Sequence, residues 1–147
     1  MREIRKILVP TDFSEDAVYA IGYAVDLAKR YEAVVTLAHI YPLVNYAAAE
    51  GFSLYTPEQL GELLANLAQQ LKAAEDEARA QGLERIDTCL LQGEAYKELL
   101  GMAATYDLIV MATHGRTGIK HALLGSLAEK LVRTAPCPVL TVRKPAA

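Results

Sequence analysis

Gly115 and the pair Gly125-Ser126, with nine residues between them, follow the wholly apolar run Leu108-Ile109-Val110-Met111. The run reads as a buried strand. A strand, a glycine-bearing loop and a helix opened by Gly-Ser form a layout for holding phosphate. Glycines let backbone N–H groups approach an anion with no Cβ in the way, and a helix start offers free donors and partial positive charge. Gly115 and Gly118 also fit plain turn glycines. Gly125 points more directly to an anion, because a helix cap needs no glycine before it. Ser126 fits two roles: a phosphate donor, and the first residue of the capping box Ser126-Leu127-Ala128-Glu129. Arg116 and Lys120 are cations on the same loop, open either to phosphate or to solvent.

A second group, Pro10-Thr11-Asp12-Phe13-Ser14, follows the apolar triplet Ile7-Leu8-Val9. Asp12 has the chemistry to bind ribose hydroxyls or, through water, a divalent ion; its structural alternative is an Asx turn at a helix start. The Thr11 hydroxyl has the same two options. Phosphoryl-transfer chemistry is poorly provided for. No Gly-Lys-Ser/Thr arrangement follows the glycines, and no carboxylate cluster is present. His39, His114 and His121 lack metal-ligand spacing. No catalytic residue and no protein-held metal are therefore expected. Cys89 and Cys137 read as buried or partly buried thiols of a reducing cytoplasm.

The elements that must position these groups follow from periodicity and punctuation. Strand one ends at Pro10. Ser14 caps a helix with Glu15 and Asp16 in its first turn and the apolar stripe Ala17, Ile21, Ala24, Val25 and Ala28. A second strand spans Ala33 to Ile40. Tyr41 to Tyr55 shows no period and reads as a loop or lid. Thr56-Pro57-Glu58-Gln59 opens a long helix with a capping box, and Gly82 stops it. A strand over Ile86 to Leu91, a helix over Ala95 to Ala104, the strand at Leu108, a helix over Ser126 to Arg133 and a strand over Val139 to Val142 complete the chain. This β-α alternation predicts an open, doubly wound α/β sheet, mainly parallel, with helices on both faces. Ligands of such sheets sit beyond the C-terminal strand ends where the winding reverses.

The 147 residues fit one domain over 1–147, and a net charge of −3 argues against a nucleic-acid binder. The apolar runs are far shorter than a membrane span.

The chain resembles the universal stress protein family, and specifically its ATP-binding branch. That branch carries Gly, two residues, Gly, nine residues, Gly, then Ser or Thr. Gly115 and Gly125-Ser126 match the latter part, while Ala112 stands where the first glycine falls. Lys6 to Ser14, Thr113 to Gly118 and Ala135-Pro136-Cys137-Pro138-Val139-Leu140 agree as well. The resemblance implies a five-stranded parallel sheet of order 3-2-1-4-5. It implies that Pro10, Thr11 and Asp12 border a nucleoside and Ile40 presents backbone to adenine. Met111 and Ala112 would floor the ribose, and Gly115, Arg116, Gly125, Ser126 and Leu127 would surround the phosphates. The implied ligand is ATP, with AMP or ADP as alternatives and Mg²⁺ held mainly by the phosphates. The implied role is a stress-response sensor or switch with little hydrolysis, acting with an unidentified protein partner. The alternatives are an interaction protein that binds no nucleotide and a slow nucleotide hydrolase. Val139 to Val142 would be an edge strand that pairs with its copy in a homodimer.

Overall fold

The computed structural model describes residues 2–42, 46–47, 52–53, 55–115 and 124–146, with backbone only for 46–47 and 52–53. In chain order these form β1 (Lys6–Pro10), α1 (Glu15–Tyr31), β2 (Val34–Tyr41), β3 (Tyr46–Ala47), β4 (Phe52–Ser53) and α2 (Pro57–Ala80). There follow β5 (Ile86–Gln92), α3 (Ala95–Ala103), β6 (Leu108–Ala112), α4 (Ser126–Thr134) and β7 (Val139–Val142).

Local chemistry explains most of these boundaries. Ser14 Oγ accepts the Ala17 N–H at 3.2 Å and so starts α1, with Glu15 and Asp16 at its positive end and Lys29 and Arg30 at its negative end. Thr56 and Gln59 exchange both bonds of a capping box at the start of α2, at 3.1 and 2.9 Å. Gly82, just past that helix, takes φ +93°, which a side chain would resist. The region expected to be an irregular loop, Tyr41 to Tyr55, contains a short antiparallel ladder, β3 against β4, pairing Tyr46 with Ser53 and Ala47 with Phe52. Two-residue strands are too short for periodicity to reveal.

The main sheet has the order β5-β2-β1-β6-β7, and every neighbouring pair is parallel. Counting only its own strands, that is 3-2-1-4-5. Side chains alternate between its faces. Ile7, Val9, Val35, Leu37 and Val110 pack under α1 and α2 with Ala20, Ala24, Val25 and Leu71. Leu8, Ala38, Ile109 and Met111 pack under α3 and α4 with Leu99, Ala103, Ala128 and Leu131. Burying each large aliphatic side chain here contributes about 1.5–3 kcal/mol.

The strand starts are pinned from below. Asp107 Oδ2 accepts the N–H groups of Arg5 and Lys6 at 2.8 and 2.9 Å, fixing β6 against β1. Above, at the C-terminal ends of these two strands, the chain departs in opposite directions to α1 and toward α4. That divergence opens a cleft.

Candidate functional site

A cavity of about 370 Å³ occupies this reversal point. Its walls are mostly apolar: Ala38 and Ile40 from β2, Ala95 and Leu99 from α3, Met111 from β6, and Leu124, Leu127 and Ala128 at the start of α4. Polar groups line it as well: Thr11, Asp12, His39, Thr113, His114 and Ser126. Of the residues singled out from sequence, Pro10, Thr11, Asp12, Ile40, Met111, Ala112, Gly115, Gly125, Ser126 and Leu127 all line it. Arg116 lies outside the described residues, as do Gly118, Lys120 and His121.

The first loop is built by its own short polar side chains. Thr11 is buried; its N–H donates to the Ala38 carbonyl at 2.9 Å and its Oγ1 accepts the Phe13 N–H at 3.1 Å. Asp12 Oδ1 accepts the Ser14 N–H at 3.0 Å, so the Asx turn is formed. The other carboxylate oxygen lies against the glycine loop: a Cβ at Gly115 would stand 2.5 Å from Asp12 Oδ2. Gly115 therefore has no side chain because Asp12 occupies the space. Phe13 sits in the left-handed region at φ 64°, and its ring packs on His39 with centroids 4.5 Å apart.

The second loop corrects two expectations. Gly125, with φ −66° and ψ 158°, is itself the cap of α4, and the helix start carries no side-chain cap bond. Ser126 is the first helical residue, one position too late for the capping box. The cause is a backbone latch: the Gly125 N–H donates to the Thr113 carbonyl at 2.6 Å and fixes where the helix begins. The same contact explains the glycine. A Cβ at Gly125 would come within 2.8 Å of the Thr113 oxygen, so this position excludes a side chain whether or not an anion is near.

With the cap so placed, the Glu129 N–H bonds to the Gly125 carbonyl at 2.9 Å, as the first intrahelical bond. The N–H groups of Ser126, Leu127 and Ala128 precede it and have no acceptor within the helix. All three residues line the cavity, and Ser126 is exposed at its mouth. This is a ready anion seat with helix-dipole support.

Ala112, which stands where the glycine pattern begins, lines the cavity at the end of β6. Strand alternation sends its methyl to the sheet face opposite Met111, and it packs against the α1-side core. Among the described residues no group of three His, Cys, Asp or Glu is placed to hold a metal. Partial burial pushes the Cys89 and Cys137 thiols above their ordinary pKa, which favours their protonated form. Sequence reasoning missed Ala95 and Leu99 as cavity walls. Their spacing of four marks one face of α3, but which end of the sheet that face meets follows only from the fold.

The sequence model of the Universal stress protein family matches residues 3–143. The universal stress protein MJ0531 of Methanocaldococcus jannaschii is 36% identical over 146 residues, covering 96% of this chain and 83% of its own length. The universal stress protein YxiE of Bacillus subtilis is 31% identical, with 94% of this chain and 98% of its own covered. Among solved structures, the hypothetical protein MJ0577 superposes with a TM-score of 0.83 at 26% identity, covering 99% of this chain and 100% of that one. A universal stress protein solved in complex with cAMP superposes with a TM-score of 0.72 at 24% identity, covering 97% of this chain and 98% of that one. With its sheet order, its match to the family model over residues 3–143 and these relatives, the chain belongs to the universal stress protein family.

Proposed function

We propose that the protein binds an adenine nucleotide, ATP foremost, in the cavity at the β1/β6 reversal and acts as a sensor or switch in the stress response. The observation that carries the reading is the conjunction of one apolar cleft with three lining residues, Ser126, Leu127 and Ala128, whose N–H groups lack an acceptor within α4. The cleft is within the usual size range of small-molecule sites, about 300–1,000 Å³. A flat base fits between Ile40, Leu99 and Leu127. The ribose lies toward Asp12, and the phosphates reach the amides of Ser126, Leu127 and Ala128, with Mg²⁺ held mainly by phosphate oxygens. The fold neighbour solved with cAMP fits an adenine ligand; at its identity it bears on the fold, and the ligand is argued from the residues here.

The protein's own residues bind and orient in this reading. Asp12 Oδ1 and the Thr11 hydroxyl are occupied with backbone donors, which leaves them poorly placed to activate a nucleophile. The loaded and empty states would be read by a protein partner in a reducing cytoplasm.

Equilibrium dialysis of purified protein with ATP, ADP and AMP, with and without Mg²⁺, tests the reading. The expected Kd is micromolar, about −8 kcal/mol. Turnover measured as ADP release should fall well below the roughly 1–100 s⁻¹ of kinases. Rates in that range that vanish in Asp12→Ala would make the protein an enzyme. The rival reading, an interaction protein without nucleotide, is favoured by one observation: Gly125 is required by the Thr113 carbonyl alone. Failure of all three nucleotides to bind would decide for it.

A further inference from the structure

We infer that His39 is a positioning residue for the sugar side of this cavity, acting through the Thr11-Asp12 backbone; the inference rests on the nucleotide reading above. His39 lies on β2 between Ala38 and Ile40, both of which face the α3/α4 side with the cavity floor. Alternation turns the imidazole to the other face, where Phe13 packs on it at 4.5 Å between ring centroids. There its Nδ1 lies 2.7 Å from the Thr11 carbonyl oxygen. A carbonyl only accepts, so Nδ1 carries the proton and donates.

Thr11 is thus held from two directions by β2. Its N–H reaches the Ala38 carbonyl at 2.9 Å, and its C=O receives the His39 proton. The peptide that bears the second bond leads directly into Asp12. Phe13 completes the brace at φ 64°, a conformation that a bulky residue adopts only where its surroundings impose it. Asp12 Oδ2 then stands in the space that Gly115 leaves open. A carboxylate that is to meet ribose hydroxyls must be held to a fraction of an ångström, and the internal hydrogen bonds of the four-residue turn between strand and helix shape the turn without tying it to the sheet. His39 adds that tie from the neighbouring strand.

The experiment compares Kd for Mg-ATP and for Mg-2′,3′-dideoxy-ATP, which lacks the hydroxyls. The parent should prefer ATP by roughly tenfold or more, the range for hydrogen bonds to a charged group. His39→Leu removes the donor, and the preference should fall toward unity. His39→Asn keeps an N–H near the Nδ1 position and should restore most of it, which a merely structural role would not produce. Phe13→Gly tests the brace in a backbone that accepts φ 64° without strain, and it too should lower the preference, which covers the case in which His39→Leu does not fold. A folded His39→Leu or Phe13→Gly variant with the parent's preference intact overturns the inference while the nucleotide reading stands. A parent that binds neither nucleotide defeats the nucleotide reading, and this inference with it.

Discussion

Ser126 and Gly125 are adjacent, yet opposite constraints act on them. Gly125 is packed against backbone, so Gly125→Ala should destabilise the fold by about 1–3 kcal/mol, the usual range for overpacking. A urea titration with unchanged slope and a lowered midpoint would register it. Ser126 is exposed at the first helical position. Ser126→Asp places a negative charge where the helix dipole favours one, worth about 0.3–1 kcal/mol, so its thermal midpoint should hold or rise slightly. The same charge faces the triphosphate, and ATP affinity should drop at least tenfold. A variant that is stable and binds ATP as the parent does would remove the anion seat from the start of α4. The residue scale is also where sequence reading was least complete. Spacing brought out Gly115, Gly125 and Asp12, but the reasons for the glycines are contacts with Asp12 Oδ2 and the Thr113 carbonyl. Those partners lie far from their glycines in sequence or across an uninformative loop, and no local pattern encodes them.

At the scale of elements the sequence was far more legible. Both capping signals on α1 and α2 mark helix starts, and the stripe from Ala17 to Ala28 is buried throughout. These signals act within three or four residues, which is why they can be read in a line of text. The start of α4 at Ser126 agrees with the expectation, but its cap is Gly125 and not Ser126, because a tertiary latch fixes that start, and the β3–β4 ladder was too short to leave a period. One tie between elements is purely electrostatic. Lys144, just past β7, reaches Glu15 Oε2 at the start of α1 across 2.6 Å. The hydrogen bond and charge of Lys144 hold the Glu15 carboxyl below its ordinary value of 4.5, and Glu15 in turn raises Lys144 above 10.5. The carboxylate's contribution is therefore present above pH 4.5 and lost as pH falls through its lowered folded value. The lysine's is present below 10.5 and lost as pH rises through its raised folded value. Lys144→Met should lower the urea midpoint slightly at pH 7 and low salt, with the difference vanishing near pH 2 or in 1 M salt, since the pair is exposed to solvent.

For the whole molecule the open question is what covers the β7 edge of the sheet. The N–H groups of Ile109 and Thr113 donate to the carbonyls of Pro138 and Val142, so even-numbered residues of β7 direct their backbone groups toward β6. Val139 and Thr141 then direct theirs outward. Leu140 is exposed on this strand, and Val132 on the adjacent α4 is half exposed at 50%. An unpaired edge flanked by apolar side chains favours association, and we propose a two-fold pairing of β7 with its copy. Thr141→Pro removes an outward N–H and none of the bonds to β6. Sedimentation should show the parent as a dimer at micromolar concentration and this variant as a folded monomer. A monomeric parent, or a variant that remains dimeric, would end the proposal.

Ala112 lines the end of the cleft while its methyl packs against the core beneath α1. A glycine in a motif is usually taken as a statement about volume, but a position on a strand also carries a direction. The neighbouring strand residues Met111 and Ala112 both line the cavity, yet their side chains pack on different layers, Met111 under α3 and α4 and Ala112 under α1. A motif written as a string gives both equal weight. Sorting family members into binders and non-binders by counting glycines would set this chain aside for a methyl that packs on the layer beneath α1. The sorting should instead be done on the seat at the start of α4, where direction and volume coincide.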